Sequence, residues 1–482
     1  CYGAEPINIH AIIFSEALVH VGLSVILAAI LVFLCKGSIE NFLSAPVATL
    51  VFNRGSWILV VICLFVLFIG GFVPGYLYNK IPVAIAFRGY NENRNRWKLA
   101  LLGIQFVISG LLFSLLFVVN NQYRMMLFVN PGYNYKNVAL LMVDGIDGDQ
   151  RDQCLAEIRR MPDVEGCASS TAMTIPGYHT NGDMINIEGY PDNTFNVIEN
   201  GGVDDNYFNL MQIPIVEGTS FTERSDSSRQ VMIDEQGAEK LKKMGHWKDG
   251  VIGKKINSSG WGDANGNLYT FTICGVVKHI QWGDLSMNNP EMKTFPMLYF
   301  YSAHTAPYML IKFKNLTDDA LSGLYDKVKA MYPNSEVRVR NYEVEYDNQY
   351  ASQRKFRNGI LVGGIITMVI ALFGLVGYTS DEVNRRRKEI AIRKVNGAKV
   401  SDILRIFLKD IVKIALPCIV IGDIVAWVIA RQWLMSFSIK ASLTPLEFIY
   451  VTIALLLIIG IAVVVNCYKV ANGNPVKYLK DE

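Results

Sequence analysis

The stretch Asn384–Lys399, NRRRKEIAIRKVNGAK, places a basic, helix-forming block between two apolar runs of the chain. In membrane proteins, short segments rich in Lys and Arg between hydrophobic runs collect on the cytoplasmic side. A block in that position is also placed to meet a partner protein. The stretch therefore predicts both the topology of the chain and a docking role.

The composition indicates a membrane protein. Of the 482 residues, 51% are hydrophobic and 18% are charged, which is more apolar than an ordinary soluble protein. The apolar residues cluster in six runs, each close to the ~20 residues that cross a hydrocarbon core of about 30 Å. The six predicted spans are Phe14–Cys35, Trp57–Tyr78, Leu99–Asn120, Gly359–Tyr378, Ile411–Ala430 and Phe448–Cys467.

Charge and cysteine usage exclude other classes of protein. The net charge of +3 is small and no basic stripe with interleaved aromatic residues is found, so we expect no nucleic-acid partner. The eight cysteines lack the CxxC or Cys/His spacing of a metal site. Cys154 and Cys167 allow a disulfide bond in an oxidising compartment. Free buried thiols are favoured, because the polar segment that contains them holds three cysteines, an odd number.

The connections between the spans differ in charge and length. A large hydrophilic segment, 121–358, separates the third and fourth spans, and the other connections are short. The positive-inside rule places the more basic short loops in the cytoplasm. We therefore expect a multi-pass inner-membrane protein with segment 121–358 in the periplasm and a cytoplasmic C-terminus. The basic loops lie around 80–98, 385–409 and 469–480, whereas the opposite side has Lys36, Arg54, Arg431 and Lys440.

Two parts of the chain resemble each other. The segment from Phe14 to Arg88 is similar to that from Leu408 to Lys480, with Ser15-Glu16 at the place of Lys409-Asp410. Both copies leave their second span through an Asn-x-x-Pro-Val motif, NKIPV at 79–83 and NGNPV at 472–476. A duplication predicts that the counterpart of the basic block lies before residue 1, and that this chain is the C-terminal part of a longer protein. The alternative is a chance similarity between two apolar hairpins.

The segment 121–358 is long enough for one or two compact lobes. Its hydrophobic pattern predicts two β-α-β units that flank a β-rich centre, with Thr317 as the N-cap of the second helix. The first unit is predicted from Asn137–Val143, Asp149–Met161 and Val164–Ser169, and the second from Tyr308–Phe313, Asp318–Met331 and Ser335–Arg340. The centre is predicted from Val251–Ile256, Leu268–Val277 and Met297–Tyr301.

Catalytic motifs are not found. The sequence has no G-x-S-x-G or H-E-x-x-H motif, and the phosphate-binding G-x-x-x-x-G-K-[ST] pattern is absent, since GVIGKK at 250–255 is too short. His179, His246, His279 and His304 are isolated in the sequence, which is typical of surface or core histidines. We therefore expect no enzymatic activity, no ATP hydrolysis and no bound cofactor or metal in this chain.

The basic block has the pattern of two helices joined by a turn. Its apolar positions are interrupted at Asn396-Gly397, a helix-ending signal, and Ser401 is predicted to cap the second helix. Glu389 and Arg393 form an i,i+4 pair in the favourable orientation. One interpretation is a simple positive-inside anchor, for which Arg385–Lys388 suffices. The other is a docking element, because an anchor does not need this pattern of charged and apolar residues.

The sequence RRRKEIAIRKVNGAKVSDI resembles the cytoplasmic signature of the MacB/FtsX type of ABC transporter permease, R-x-x-E-I-[GA]-I-[RL]-[KR]-x-x-G-A. The tail ANGNPVKYLK, Ala471–Lys480, is similar to the C-terminal motif of that family. The stretch from GGFVPGY at 70–76 to Gln105-Phe106-Val107-Ile108 looks like the junction between two permease halves in double-length members typical of Bacteroidetes. Weaker similarities to the periplasmic domain are FNLM at 208–211 with Ile213, Glu217-Gly218 and GVVK at 275–278.

The resemblance implies an α-helical polytopic membrane protein of about six spans, with a large α+β extracytoplasmic domain of porter-like and sabre-like lobes. The implied domains are the end of a first FtsX-like half (1–98), a transmembrane helix (99–120), a periplasmic MacB-like core domain (121–358) and a second FtsX-like permease domain (359–482). The last contains a coupling element at 381–408. The docking residues implied there are Arg386, Arg387, Glu389, Ile390, Ile392, Arg393, Lys394, Gly397 and Ala398.

The implied function is that of a permease whose periplasmic domain is moved by a separate ATP-binding subunit, which binds the ATP and Mg. This mechanotransmission serves efflux or extraction of a substrate. Further implied partners are a second permease in a homo- or heterodimer, a periplasmic or outer-membrane protein, and membrane lipid. The alternatives are a membrane-anchored sensor or binding protein without a power stroke, and a secondary transporter.

Asp423 lies near the middle of the fifth predicted span, where an ionisable residue is costly and marks a functional hypothesis. The resemblance gives no transport relay at this position. We therefore favour a structural role, in which Asp423 is neutral or hydrogen-bonded to a facing helix.

Overall fold

The computed structural model describes residues 6–43, 46–72, 96–175, 181–188, 190–225, 227–262, 267–281, 283, 296–437 and 439–472. The chain divides into two compact units. The membrane unit comprises Cys1–Val119, Arg354–Ile429 and Leu443–Glu482, and the second unit comprises Asn120–Gln353 and Ala430–Ser442.

The helices of the described chain are numbered in chain order. They are α1 (Pro6–Leu34), α2 (Lys36–Leu43), α3 (Val47–Val51), α4 (Trp57–Leu67, extended by a π-helical turn at Phe68–Phe72), α5 (Arg96–Phe128), α6 (Gly148–Ile158), α7 (Tyr207–Leu210), α8 (Glu235–Met244), α9 (Asp318–Met331), α10 (Tyr342–Asn348), α11 (Ala351–Arg385), α12 (Arg387–Val395), α13 (Val400–Leu434) and α14 (Pro445–Ala471).

Five helices of the described chain are long and apolar enough to cross a membrane: His10–Leu34, Lys98–Phe128, Ala351–Arg385, Val400–Leu434 and Pro445–Tyr468. They confirm five of the six predicted spans. The second predicted span, Trp57–Tyr78, is a shorter apolar helix over Trp57–Phe72, and its last six positions lie outside the described residues. The basic residues at 80–94, the NKIPV motif, His179 and the tail after residue 472 also lie outside them.

The core of the membrane unit is formed by apolar faces of α5, α11, α13 and α14. Small residues let α5 and α13 approach closely. A Cβ atom added to Gly422 would lie 2.3 Å from the carbonyl oxygen of Val107, and one added to Gly110 would lie 2.8 Å from that of Ile419. Small residues at such crossings are typical of helices that pack in a bilayer. Buried residues of this core include Leu102, Phe106, Leu375, Ile411, Ala415, Ile419, Leu455 and Ile459.

The second unit contains all the strands of the described chain. They are β1 (Val138–Val143), β2 (Val164–Ser170), β3 (Asn181–Ile187), β4 (Tyr190–Val203), β5 (Ile215–Gly218), β6 (Gln230–Asp234), β7 (Lys255–Gly262), β8 (Leu268–Val277), β9 (Met297–Tyr301), β10 (Tyr308–Phe313) and β11 (Val337–Asn341).

The two predicted β-α-β units are confirmed, and they interleave in one sheet. The strand order β11-β1-β10-β2 is antiparallel throughout, which is the split β-α-β arrangement. Helix α6 begins with a capping box between Asp147 and Gln150, and Thr317 caps α9 as predicted, by accepting a hydrogen bond from the Ala320 amide. The apolar residues of α6 and α9, among them Ile158 and Leu324, pack on one face of the sheet.

A second lobe is inserted between β2 and β10. Its strands pair in the order β4-β3-β7-β8-β6-β9, and β9 pairs with β4 again, so the pairing forms a closed ring of six strands. Edge strand β5 pairs with β8. The predicted strand Val251–Ile256 is wrong in its first half. Residues 251–253 form a turn with Gly253 at a φ of 78°, and β7 begins at Lys255.

Cys154 and Cys167 are free and buried, as favoured from the sequence. Burial raises the pKa of each thiol to about 11. Both thiols are therefore protonated at physiological pH and are poor nucleophiles.

Where α5 crosses α13, a larger side chain is predicted to destabilise the protein. In Gly422→Val the new side chain meets backbone atoms, Val107 O at 2.3 Å and Leu111 N at 2.8 Å, which cannot rotate away. We expect a destabilisation of at least ~1–3 kcal/mol, measured as a fall of several degrees in the thermal unfolding of the purified chain in detergent. Gly377→Val is the matched control, because no atom lies within 4 Å of its added Cβ. Equal unfolding temperatures of the two variants would contradict the prediction.

Candidate docking site

The basic block lies between two long helices of the membrane unit. Helix α11 ends at Arg385, α12 contains the centre of the block, and α13 begins at Val400. Ile390 on α12 is buried in the same cluster as Val383 of α11 and Ile403 and Phe407 of α13. One face of α12 is therefore fixed against its two neighbours by apolar contacts.

The predicted end of the first helix at Asn396-Gly397 is confirmed. Gly397 has a φ of 89°, in the left-handed region, and the Ala398 amide donates to the Arg393 carbonyl at 3.0 Å. The predicted cap by Ser401 is wrong. Ser401 already lies inside the helix, and the carboxylate of Asp402 instead accepts a hydrogen bond from the Lys399 amide at 3.0 Å.

A network of charges joins three helices at the start of the block. Glu382, whose side chain is 8% exposed, accepts hydrogen bonds from Arg385 Nη2 at 2.7 Å and from Arg386 Nε at 2.5 Å. Arg386 Nη1 also donates to Asp410 Oδ2 at 3.0 Å. We call Glu382, Arg386 and Asp410 the clamp. Partial burial acts to lower the pKa of Arg386, but the two carboxylates raise it above its ordinary value.

The outer face of α12 combines charged and apolar side chains. Arg393 Nη2 donates to Glu389 Oε1 at 2.7 Å, and both side chains are about half exposed. Ile392 is 55% exposed and Val395 is 67% exposed. We call Glu389, Ile392, Arg393 and Val395 the docking strip. Val395 was not predicted from the sequence, although its spacing of three residues from Ile392 places it on the same face.

The nine predicted docking residues differ in burial. Arg386 and Ile390 face inward, one in the clamp and the other in the apolar core. Glu389, Ile392 and Arg393 face outward and Gly397 is exposed at the turn. Of the remaining three, Arg387 is exposed, whereas Lys394 and Ala398 are half-buried. Only some residues of the sequence motif are therefore exposed for contact with a partner protein.

Asp423 is buried in the membrane unit. Ser114 Oγ of α5 donates to its Oδ1 at 2.7 Å, and Thr452 Oγ1 of α14 donates to its Oδ2 at 2.5 Å. Each carboxyl oxygen thus has a hydrogen-bond partner on a different neighbouring helix, which satisfies a polar group that is costly in a bilayer. The arrangement agrees with the structural role favoured from the sequence.

Two histidines that are isolated in the sequence have partners in the second unit. His279 Nδ1 contacts the buried carboxylate of Asp234. His304 Nδ1 lies 2.9 Å from Asp152 Oδ2 and 3.5 Å from Asp149 Oδ1. These three groups lie close enough together to hold a cation, but they are solvent-exposed or half-buried, and Asp152 also accepts hydrogen bonds from Thr305.

Comparisons with known proteins match both units. The FtsX-like permease C-terminal family model matches residues 361–475, and the MacB-like periplasmic core domain model matches residues 100–325. YvrN of Bacillus subtilis (strain 168), described as an uncharacterized ABC transporter permease, is 27% identical over 248 residues, which are 48% of this chain and 57% of YvrN. The chain therefore spans a little over half the length of this relative.

Among solved structures, the periplasmic region of MacB from Actinobacillus actinomycetemcomitans matches with 14% identity and a TM-score of 0.30, over 45% of this chain and 94% of that chain. The two family models follow one another along the sequence. This chain, a multi-pass membrane protein with a periplasmic domain, belongs to the MacB/FtsX type of ABC transporter permeases.

Proposed function

We propose that this chain is a permease subunit of the inner membrane that couples ATP hydrolysis in a separate ATP-binding subunit to movement of its periplasmic domain. The observation that carries the proposal is the docking strip, with Ile392 and Val395 exposed beside the Glu389–Arg393 pair. A positive-inside anchor requires charge alone. Exposed apolar side chains next to an ion pair are instead typical of a protein interface.

The clamp and the buried face of α12 provide the first step of coupling. A partner that displaces the docking strip pulls on Ile390 and Arg386, which lie on the same short segment. Arg386 is bonded to Glu382 of α11 and to Asp410 of α13. Because Glu382 is almost fully buried, separating it from Arg386 costs ~3–5 kcal/mol, so α11 follows the block. The partly exposed pair between Arg386 and Asp410 links α13 to the same movement.

The second step uses the connection between α13 and α14, which is part of the second unit. Gln122 of α5 is fully buried, and its Nε2 donates to the Ile439 carbonyl at 2.9 Å while its Oε1 accepts from the Ala441 amide at 2.8 Å. Phe437 lies in the apolar core of that unit and packs on Trp433 at a ring distance of 4.6 Å. We call these contacts the latch.

A cluster of tyrosines in the second unit receives the movement. Tyr135 stacks on Tyr346 of α10 at 4.4 Å, and the hydroxyl groups of Tyr133 and Tyr342 both contact Thr174 Oγ1, at 2.9 and 3.0 Å. Tyr133 and Tyr135 follow α5 in the chain, and Tyr342 and Tyr346 precede α11. Tyr133 and Phe437 belong to the same buried core. Motion that enters through α5, α11 or α13 therefore reaches one packed cluster. Export or extraction of a substrate follows from that motion.

Docking depends on the exposed apolar residues of the strip. Replacing Ile392 and Val395 together by Glu puts two carboxylates into a desolvated interface, so we expect co-purification of the cognate ATP-binding subunit to fall at least tenfold. ATPase stimulation is expected to fall with it. Val344→Glu is the control, since Val344 is equally exposed but belongs to the second unit. Binding at the wild-type level by the double variant would refute the docking strip.

The clamp is predicted to hold the block in place. Glu382→Gln leaves Arg385 and Arg386 without their buried carboxylate, so the junction of α11 and α12 opens more often. We expect tryptic cleavage at the junction to become several-fold faster in membrane vesicles. Glu389→Gln, which removes a half-exposed i,i+4 pair worth only ~0.3–0.5 kcal/mol, serves as the control. If both variants are cleaved at the wild-type rate, the clamp does not hold the junction.

The latch is predicted to pass movement into the domain. Gln122→Leu keeps the side-chain volume but leaves the Ala441 amide and the Ile439 carbonyl without partners, at a cost of ~1–3 kcal/mol. In the complex, we expect ATP-dependent changes of hydrogen exchange to persist in α12 and to disappear at residues 133–135 and 342–350. Unchanged exchange in both regions would show that coupling does not use the latch.

A further inference from the structure

Strand β2 leaves part of one edge unpaired among the described residues. It pairs with β10 from Val164 to Ser170, but with β4 only at Ser170, opposite Val203. The chain then turns away from β2 into α7. Its last bond to that edge is the hydrogen bond from the Asp204 amide to the Ser169 carbonyl, at 3.3 Å. The part of the edge that precedes Ser169 therefore has no described strand beside it.

The backbone groups of Cys167 point to this open edge. In an antiparallel pair, the residues of a strand alternate between bonding to one neighbour and pointing to the other side. The Ser169 carbonyl points away from β10, and the pairing from Gly166 to Ser170 is regular. The amide and carbonyl of Cys167, two residues earlier, therefore also point away from β10, and no described residue bonds to them. Such free edge groups are a template for a further strand.

The open edge lines a pocket of about 570 Å³. Helix α7 and the residue that follows it supply another part of the lining, with Asn206, Asn209 and Gln212 exposed at a spacing of three residues. A side-chain amide both donates and accepts hydrogen bonds. The pocket thus offers backbone groups of a strand and polar groups of a helix to one ligand, and its volume lies within the range of about 300–1,000 Å³ that is common for binding sites.

The lining carries an excess of positive charge. Arg159 is exposed and forms no ion pair among the described residues, although Asp204 lies near enough to act on it electrostatically. Lys312 is half-buried, and its ammonium group contacts the carbonyl of Lys136 rather than a carboxylate. Glu165 is the one acidic residue in the described lining. Two cations against one carboxylate favour a ligand that brings a carboxylate of its own.

We propose that this pocket binds an extended peptide segment of another protein, which adds to the β2 edge as a strand and places an acidic side chain beside Arg159 and Lys312. Backbone bonds to Cys167 provide affinity, and the two cations provide selectivity. The site lies in the second unit and uses neither the docking strip nor an ATP-binding subunit. It therefore stands or fails independently of the proposed function.

Peptide selection tests the binding. A phage library that displays random ten-residue peptides is selected against the full chain in lipid nanodiscs. We expect enrichment of peptides that combine alternating β-branched or aromatic residues with an Asp or Glu. Arg159→Gln is expected to weaken binding of the best peptide at least fivefold. Arg160→Gln is the matched control, because Arg160 is an exposed neighbour that pairs with Glu157 outside the pocket, and it leaves the affinity unchanged.

A second variant tests the location. Asn209→Trp fills the pocket from an exposed position and is expected to abolish binding without lowering the unfolding temperature of the chain. Failure to enrich any peptide would overturn the proposal. So would peptides that bind this variant, or that bind Arg159→Gln, as tightly as the wild type.

Hydrogen exchange at single-amide resolution tests the strand addition itself. The Cys167 amide is expected to exchange rapidly in the free chain and at least tenfold more slowly with the peptide bound, because it then donates to the added strand. Amides of β11, at the other end of the β11-β1-β10-β2 order, are the control and do not change. Binding without protection of Cys167 would overturn strand addition. Slow exchange in the free chain would show that a segment of the chain itself, such as residues 284–295 outside the described part, already occupies the edge, which would also overturn the proposal.

Discussion

The arrangement of the basic block depends on Glu382. A carboxylate that is almost completely shielded from water is stabilised by charged hydrogen-bond donors, and Arg385 and Arg386 both donate to Oε1 of Glu382. The pairing places the chain at the point where α11 ends and α12 begins. Since α12 is short, fixing its first residues also fixes which of its faces is buried: Ile390 turns to the core and Ile392 to the outside. The docking strip is thus a consequence of one buried ionic network.

The membrane unit meets a second constraint, because water is absent from the bilayer core. Close packing replaces the hydrophobic effect there, and Gly110 and Gly422 allow backbone contact between α5 and α13. Asp423 follows Gly422 directly, so the close approach brings its carboxylate within reach of Ser114. The small residue and the acidic residue therefore act together, and both carboxyl oxygens of Asp423 have hydrogen-bond partners on neighbouring helices.

The sequence predicts the parts of this molecule that depend on local periodicity. Apolar runs of about 20 residues indicated the spans, and alternation with capping by Thr317 indicated the β-α-β units. The closed ring of the inserted lobe was not predicted, because its closure depends on pairing of β4 with β9, which are far apart in the chain. The clamp was missed for the same reason: Asp410 is remote from Arg386 in sequence, and a motif of adjacent basic residues gives no sign of which one turns inward.

The two similar hairpins show a second limit of prediction from apolar patterns. Helices α1 and α13 share the order of an acidic residue followed by apolar residues four apart, yet the core of the described chain buries those residues only in α13. A sequence pattern therefore specifies a face that is able to pack, whereas burial depends on which helices are available to cover it. In α13 the covering helices bring an arginine to Asp410.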